Sequence, residues 1–394
     1  MDDSYERQVT HFACTIFRGG GQLFGIRRSD RRAHMYMIGK TGTGKSTLLQ
    51  SLVRSDLRNG EGLALFDPHG DLVEGIVEAI PEERRPVLLY LNLPDPALEL
   101  RFNPLAGVAP EQQPLAAAGL IEAFKKIWSD AWGPRLEHVL RNVFFALLEV
   151  PGATLADIPR LFNDDAFRQR VVEGLGNDQV RAFWRSEFAR YPQSLRAQVL
   201  APVQNKVGAF LADPRVHRVL ATPGTTLDLR RVMDERQILL VNLAKGVIGE
   251  GPAALVGNLL VASLGLAGLS RSDTPAAIRQ DFYIYLDEFH TFATLSLTTM
   301  LSELRKYRVS LVLAHQYLSQ IETEIRDAVL GNVGTLMSFR VGAQDATVLA
   351  REFLPKFSAQ DLIALPNYHL YLKLMIDGVV SQPFSAVTCQ QPLS

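Results

Sequence analysis

The chain has 394 residues, 47% of them hydrophobic and 21% charged. That balance belongs to a globular protein of two or three structural units and excludes a disordered or fibrous one. A formal net charge of −1 gives no global attraction to nucleic acid, so any phosphate contact must come from local patches. The two cysteines, Cys14 and Cys389, lie near opposite ends. They form neither a metal-ligand nor a disulfide pattern, which suits a reducing compartment.

In chain order, the first feature is a basic run, Arg27-Arg28-Ser29-Asp30-Arg31-Arg32. It is suited to phosphates or to a neighbouring nucleotide, and the sequence does not choose between them. Ala33 to Ile38 then reads as a buried strand, and Ser46 to Val53 as a helix with Leu48, Leu49, Leu52 and Val53 on one side. Between them lies Gly39-Lys40-Thr41-Gly42-Thr43-Gly44-Lys45-Ser46, the G-x-x-x-x-G-K-[ST] phosphate loop in its confirming strand–loop–helix setting. Glycines let consecutive N–H groups turn inward on an anion, and the helix N-terminus adds positive potential. Gly39, Thr41, Gly42, Thr43, Gly44, Lys45, Ser46 and Thr47 are therefore the candidate nucleotide-binding residues. Lys45 would reach the β- and γ-phosphates, and Ser46 would ligate Mg²⁺.

Gly62 to Asp67 and Val87 to Leu91 read as short strands. Asp67, His69 and Asp71 have the composition of a metal site. Pro68 and Gly70 describe a tight turn instead, with Asp71 as N-cap of a helix Leu72 to Ile80. Residues 106 to 222 carry helical periodicity: Leu120, Ile121, Phe124 and Ile127, then Leu136, Val139, Leu140, Val143 and Phe144. Prolines at 134, 151, 159, 192, 202 and 214 punctuate this block, and Pro223 closes it. From 111 to 222 there are 14 Lys/Arg and 12 Asp/Glu, a difference of +2, which is no basic footprint. Lys125-Lys126-Ile127-Trp128 and Arg181-Ala182-Phe183-Trp184-Arg185 combine cations with aromatics. They also fit amphipathic helices with buried tryptophans.

Strands return at Ile238 to Asn242, Phe282 to Leu286, Ser310 to Ala314 and Thr335 to Val341. Ala253 to Leu269 is uncharged and about 17 residues long, at the lower limit for a membrane span. Flanked by two strands, it reads as a buried helix of the nucleotide domain, and the N-terminus carries no secretory signal. Tyr368 to Ile376 and Val379 to Phe384 form a hairpin over Asp377-Gly378. The strand Phe282 to Leu286 runs into Asp287-Glu288 and would lie in the sheet beside the phosphate loop. Asp287 would hold Mg²⁺ through water, and Glu288 would orient and activate the attacking water. No guanine-recognition N-K-x-D sequence is present, which favours ATP hydrolysis. The fold class is α/β, a P-loop nucleotide domain with a mainly parallel sheet plus an all-α insertion. Its divisions are 1–105, 106–222 and 223–394.

The chain resembles the cytoplasmic ATPases of type IV secretion and conjugative coupling proteins, TraG/TraD-like members of the HerA/FtsK-like translocases. The resemblance runs through His34 to Ser46, Asp67-Pro68-His69-Gly70-Asp71-Leu72, Phe102-Asn103-Pro104-Leu105, Leu286-Asp287-Glu288-Phe289, Leu304-Arg305-Lys306-Tyr307-Arg308, Ala314-His315-Gln316 and Phe339-Arg340-Val341-Gly342. It implies a RecA-like nucleotide domain using ATP and Mg²⁺, an all-α domain, and a hexameric ring around DNA. It also implies partners among secretion or conjugation components. Gln316 resembles the sensor glutamine for the γ-phosphate. Arg305 resembles the finger that reaches a neighbouring subunit's site, with Lys306 and Arg308 as rivals. Typical coupling proteins begin with membrane helices, and this sequence shows none. The expected location is cytoplasmic, at the inner face of a membrane. A DNA translocase is the favoured reading. The alternative is an ATP-dependent assembly or recruitment switch that does not move DNA.

Overall fold

The structure is a computed structural model and describes residues 3–16, 21–130 and 132–389. The chain divides into two compact units, residues 1–91, 230–243 and 271–394 in the first and residues 92–229 and 244–270 in the second.

The strands are β1 (Val9–Thr15), β2 (Leu23–Arg27), β3 (Met35–Ile38), β4 (Gly62–Asp67), β5 (Leu88–Asn92), β6 (Ile238–Asn242), β7 (Phe282–Leu286), β8 (Val309–His315), β9 (Thr335–Ser338), β10 (His369–Lys373), β11 (Met375–Ile376), β12 (Val379–Val380) and β13 (Phe384–Thr388). Eleven of them form one sheet in the order β2-β1-β13-β10-β9-β3-β8-β7-β4-β6-β5. From β9 to β6 the pairings are parallel. Every residue of β3, β4, β6, β7, β8 and β9 is buried. Uninterrupted apolar runs of this kind are what a parallel sheet covered on both faces requires. At the other end β2, β1, β13 and β10 pair antiparallel. There β10 alternates between buried and half-buried positions, as an antiparallel wing does.

Sequence patterning does not mark β1 and β2, and it misses their consequence. β1 pairs with β13, the last strand, so Cys14 and Cys389 lie 5.9 Å apart between Cα atoms and form a disulfide. The absence of a disulfide pattern is thus corrected. Topology, not spacing, made them neighbours across 375 residues. The expected hairpin over Asp377-Gly378 is the short β11–β12 pair, Ile376 opposite Val379. Both turn residues have positive φ, 51° and 77°, as a two-residue turn of this type demands.

The helix Lys45–Arg58 follows β3, and its buried Leu48, Leu49, Leu52, Val53 and Leu57 lie on its inner side. With Leu63, Leu65, Ile76 and Met337 they belong to one apolar core.

The second unit is helical, with helices Gln113–Ile127, Pro134–Leu148, Gln193–Ala212 and several shorter ones. Proline marks helix starts at Pro134 and Pro214. Pro202, expected as a break, lies inside Gln193–Ala212. The apolar helix Glu250–Ser270 belongs to this unit, not to the nucleotide part where its sequence neighbours put it. It packs on Gln113–Ile127, with Gly119 against Ala262. It is apolar on every side, so its pattern could not say which core it joins. Among the described residues it is the one helix long and apolar enough to cross a membrane, and most of it is buried.

Candidate nucleotide site

β3 delivers the chain to the phosphate loop at its carboxyl end. Gly42 and Gly44 take left-handed backbone conformations, φ 74° and 116°. A Cβ on Gly39 would sit 2.5 Å from Phe339 Cβ, and one on Gly44 would meet Tyr368 and Phe339 at 3.1 and 3.2 Å. Both positions therefore need glycine. Thr43 Oγ1 donates to the Lys40 carbonyl at 2.7 Å. Lys45 Nζ folds back on the Gly39 and Lys40 carbonyls at 2.6 and 3.2 Å. The helix starts directly after Gly44, so its first N–H groups have no partner within the helix and can bind an anion. Thr41, Gly42, Gly44, Lys45, Ser46 and Thr47 line a cavity of about 560 Å³, and Asp67, Asp287, Glu288 and Gln316 line its other side.

Strand register explains this convergence. Ile38 of β3 lies opposite His315 of β8, Leu313 of β8 opposite Leu286 of β7, and Leu286 opposite Phe66 of β4. The carboxyl ends of the four strands are therefore level, at the edge where parallel sheets bind ligands. One expectation changes here. β7 is not next to β3, because β8 lies between them. The inserted strand places Gln316 between the loop and the acidic pair. Thr41 Oγ1 donates to Gln316 Oε1 at 3.0 Å, and Gln316 Nε2 donates to Glu288 Oε1 at 2.8 Å.

Glu288 is 6% exposed and left-handed, with φ 46°, a conformation costing on the order of 1 kcal/mol that clusters at functional sites. Its Oε2 accepts no hydrogen bond among the described residues, although His290 Nδ1 is 3.4 Å away. Burial, then the charges of Glu288 and Asp67, push the Asp287 carboxyl up to about 7, against the opposing pull of the Glu288 N–H and Lys45. Burial pulls the Lys45 ammonium below its usual value, while Glu288 and Asp287 hold it up.

Asp67 has a different job from the one its spacing suggests. Its Oδ1 accepts from the His69 N–H at 2.8 Å, and its Oδ2 accepts from Leu72 and Val73 at 2.8 and 3.1 Å. Asp67, not Asp71, caps the helix Asp71–Val77, whose N-cap position is Gly70 without a side-chain cap. The capping side chain stands at the end of β4, four residues before the helix, where a local cap rule does not look. His69 is exposed. Among the described residues no group of three or more His, Cys, Asp or Glu is arranged to hold a metal by itself. The site nevertheless fits Mg²⁺, which takes one or two protein oxygens and completes its shell with phosphates and water. The Ser46 hydroxyl would supply such an oxygen and the buried Asp287 carboxylate would hold the ion through water, and a divalent cation there would relieve the crowding that raises Asp287.

The basic residues separate by partner. Arg28 pairs with Glu61, and Arg31 pairs with Asp56, all four side chains at most 2% exposed. Arg32 Nε meets Asp281 Oδ1 at 2.6 Å. Arg28, Asp30 and Arg31 are thus part of the core of the nucleotide unit, Arg32 is half-buried, and Arg27 is exposed and pairs with the exposed Asp377. Lys306 pairs with Glu303 at 2.8 Å, and Arg308 faces Glu6 and Asp281. Arg305 is exposed and has no ion pair or side-chain hydrogen bond among the described residues. It does not line the cavity of its own chain. In the helical unit Trp128, Phe183 and Trp184 are 0%, 5% and 3% exposed, so these aromatics are core. Arg181 is tied to Asp178 at 2.5 Å.

One residue of the cavity carries no sequence signal. Tyr368 lines it from just before β10. The turn Pro366-Asn367 ahead of it is the sole local hint, and nothing in its spacing relates it to a loop more than 320 residues earlier.

A glycine loop between strand and helix, with an acidic strand two places away and a polar amide between, defines a P-loop NTPase. The chain belongs to the family described as Helicase HerA, central domain, which matches residues 29–243. The family described as TraM recognition site of TraD and TraG matches residues 281–351. No curated protein matches the chain. Among solved structures, the bacterial conjugative coupling protein TrwBdeltaN70 is 15% identical, with 99% of this chain and 91% of that one covered and a TM-score of 0.68. The plasmid coupling protein TrwB in complex with ADP and Mg²⁺ is 16% identical, with 94% and 88% covered and a TM-score of 0.68. VirB4 of Thermoanaerobacter pseudethanolicus is 14% identical, with 100% and 98% covered and a TM-score of 0.67. At these identities the likeness is one of fold: mixed α/β with a large, mostly parallel sheet.

Proposed function

We propose that the chain hydrolyses ATP with Mg²⁺ and uses that energy as a ring-forming motor on DNA, in the setting of type IV secretion or conjugation. The observation that carries hydrolysis is the row Thr41–Gln316–Glu288, hydrogen-bonded from the phosphate loop to a buried carboxylate. In this reading the loop N–H groups and Lys45 hold the phosphates. Mg²⁺, held through Ser46 and Asp287, would neutralise charge developing on the transferred phosphoryl group. Glu288 accepts the proton of the attacking water, and Gln316 aligns that water with the γ-phosphate.

Arg305 belongs to the neighbour's site in this scheme. It precedes β8, while the cavity lies beyond the strand's far end. Seven residues of strand separate them, about 23 Å at 3.3 Å per residue. No arginine side chain spans that gap, so Arg305 would complete the site of an adjacent subunit. The match to the TraM recognition site of TraD and TraG, with the TrwB likeness in fold, supports a conjugation partner.

One observation favours the second reading, an assembly or recruitment switch that moves no DNA. The aromatics of the two cation–aromatic stretches are buried, Lys125 pairs with Glu122 and Arg181 with Asp178, which leaves Arg185 as the exposed cation of the second stretch, and the net charge is −1. Hydrolysis measured with and without single- and double-stranded DNA, beside mass measurement of the assembly, decides between them. The motor reading expects DNA to bind and stimulate turnover when the ring forms, with affinity falling as salt rises. A ring that hydrolyses ATP but ignores DNA leaves the switch.

A further inference from the structure

The hydrolytic groups all stand on one flank of the phosphate loop. Gln316 and Glu288 follow β8 and β7, on one side of β3, while β9 and β10 lie on the other. A nucleotide whose terminal phosphate faces Glu288 must send its nucleoside end toward the opposite flank. β10 is two strands from β3, about 10 Å at the usual strand spacing. It runs antiparallel to β9, with Tyr371 opposite Ser338, while Ser338 is level with Ile38. Tyr368 therefore stands beyond the carboxyl end of β3, level with the loop, and lines the same cavity.

Tyr368 is fixed in place yet open to solvent. It is 39% exposed, and its hydroxyl has no hydrogen-bond partner among the described residues. Its backbone is left-handed, φ 67°, a strained state for a bulky residue that the surroundings must enforce. Its N–H donates to the Thr43 carbonyl at 2.7 Å, and its carbonyl accepts from Thr388 at 2.9 Å. Asn367 Oδ1 accepts from Arg340 Nη2 at 2.8 Å, and the Arg340 carbonyl accepts from the Lys40 N–H at 2.9 Å. The turn bearing the ring is thereby tied to the phosphate loop at both ends, and Gly44 leaves room for the ring.

We infer that Tyr368 is the platform on which the nucleobase stacks, so that the site holds a nucleotide through the face of its base. This rests on the nucleotide reading above and adds how the base is held. Stacking needs a π-face and no particular pattern of donors and acceptors, so adenine and guanine nucleotides should be held about equally on this platform.

The test compares a ligand with a base and one without. Binding of a non-hydrolysable ATP analogue and of inorganic tripolyphosphate, each with Mg²⁺, is measured on the full chain by calorimetry. Tyr368→Ala should weaken the ATP analogue about ten-fold or more and leave tripolyphosphate within about two-fold. Tyr368→Phe should bind both like the parent. Equal losses for both ligands would mean that Tyr368 only shapes the loop, and an unchanged ATP affinity would mean that it touches no base. Either result overturns the inference. If the alanine variant does not fold, Tyr368→Leu keeps bulk against Gly44 and must show the same split. A parent chain that binds neither ligand fails at the phosphate loop, which is a different failure and takes this inference with it.

Discussion

At the amino edge of the parallel strands the charges are matched. Arg31 meets Asp56 ahead of β3, with Tyr285 donating to Asp56 at 2.5 Å and accepting from Arg31 at 2.8 Å. Arg28 meets Glu61 before β4, and Arg32 meets Asp281 before β7. The guanidinium of Arg31 also lies 3.6 Å from the centre of the Tyr283 ring. At the carboxyl edge of the same strands Asp67, Asp287 and Glu288 crowd one another, and Lys45 is turned to loop carbonyls. One edge uses its ionisable groups to close the fold. The other leaves like charges together in a buried place, an arrangement typical of sites that await a charged ligand.

The largest effects should come from completing or breaking the carboxyl edge. Arg305→Ala should lower turnover by about 10³-fold or more, as loss of a transition-state cation does. Glu288→Gln should keep nucleotide binding and cut turnover by roughly 10²- to 10⁴-fold. Mixing the two variants should restore part of the activity, because one kind of mixed interface carries both original groups. Mixed rings confirmed by mass that recover nothing at any ratio would exclude Arg305 as a group acting between subunits.

Next come substitutions that separate the edges by stability. Arg31→Ala leaves Asp56 buried and unpaired and should cost about 3–5 kcal/mol in chemical denaturation. Replacing both partners, Arg31→Met with Asp56→Leu, should recover most of that loss. Asp287→Asn removes one of the crowded carboxylates, so the nucleotide-free chain should become no less stable. Equal losses from Arg31→Ala and Asp287→Asn would erase the distinction between the edges.

The contrast also shows what the sequence could carry. The loop at 39–46 and the pair Asp287-Glu288 are legible because their chemistry depends on neighbours in sequence, and Gln316 follows from its place at a strand end. The run 27–32 is not legible in the same way. Its arginines look like a phosphate patch until Glu61, Asp56 and Asp281 are brought to them by the folding of the sheet. Asp67 as a distant cap, Cys14 beside Cys389, and Tyr368 beside Gly44 are tertiary coincidences of the same sort. The helix Glu250–Ser270 was legible as a helix but not as to its core, since a segment apolar all round has no face to read. Arg305 shows the converse. Sequence offered three basic residues, and the structure distinguishes them by what they already hold: Lys306 has Glu303, Arg308 has Glu6 and Asp281, and Arg305 has neither.

The smallest effect concerns pH and tests the matched edge from another side. His34, just before β3, accepts from the Leu311 N–H on Nδ1 at 3.0 Å, and its Nε2 lies 3.0 Å from the Leu301 carbonyl. The ring is therefore neutral with its proton on Nε2, and burial, with the nearby Arg305 charge, pushes its pKa down to about 4. His315 at the end of β8 is lowered in the same direction, to about 3, by burial and then by the charges of His290 and Lys45. An unfolded histidine binds its proton near pH 6.5. Between pH 6.5 and 4 the unfolded chain therefore takes up protons that the folded chain refuses. Stability is complete above about pH 6.5 and declines as pH falls through that window, by up to about 3 kcal/mol for His34 alone. Paired carboxylates behave differently. Glu6, held below its usual value mainly by Arg32 against the opposing effect of burial, loses its contribution only at lower pH, so the windows separate. His34→Asn suits the test, because asparagine tolerates the left-handed backbone, φ 61°, found at this position. Denaturation midpoints from pH 8 to 4 should fall less steeply for the variant than for the parent. Parallel profiles would move the acid loss away from His34, to His315 or to the carboxylates of the amino edge.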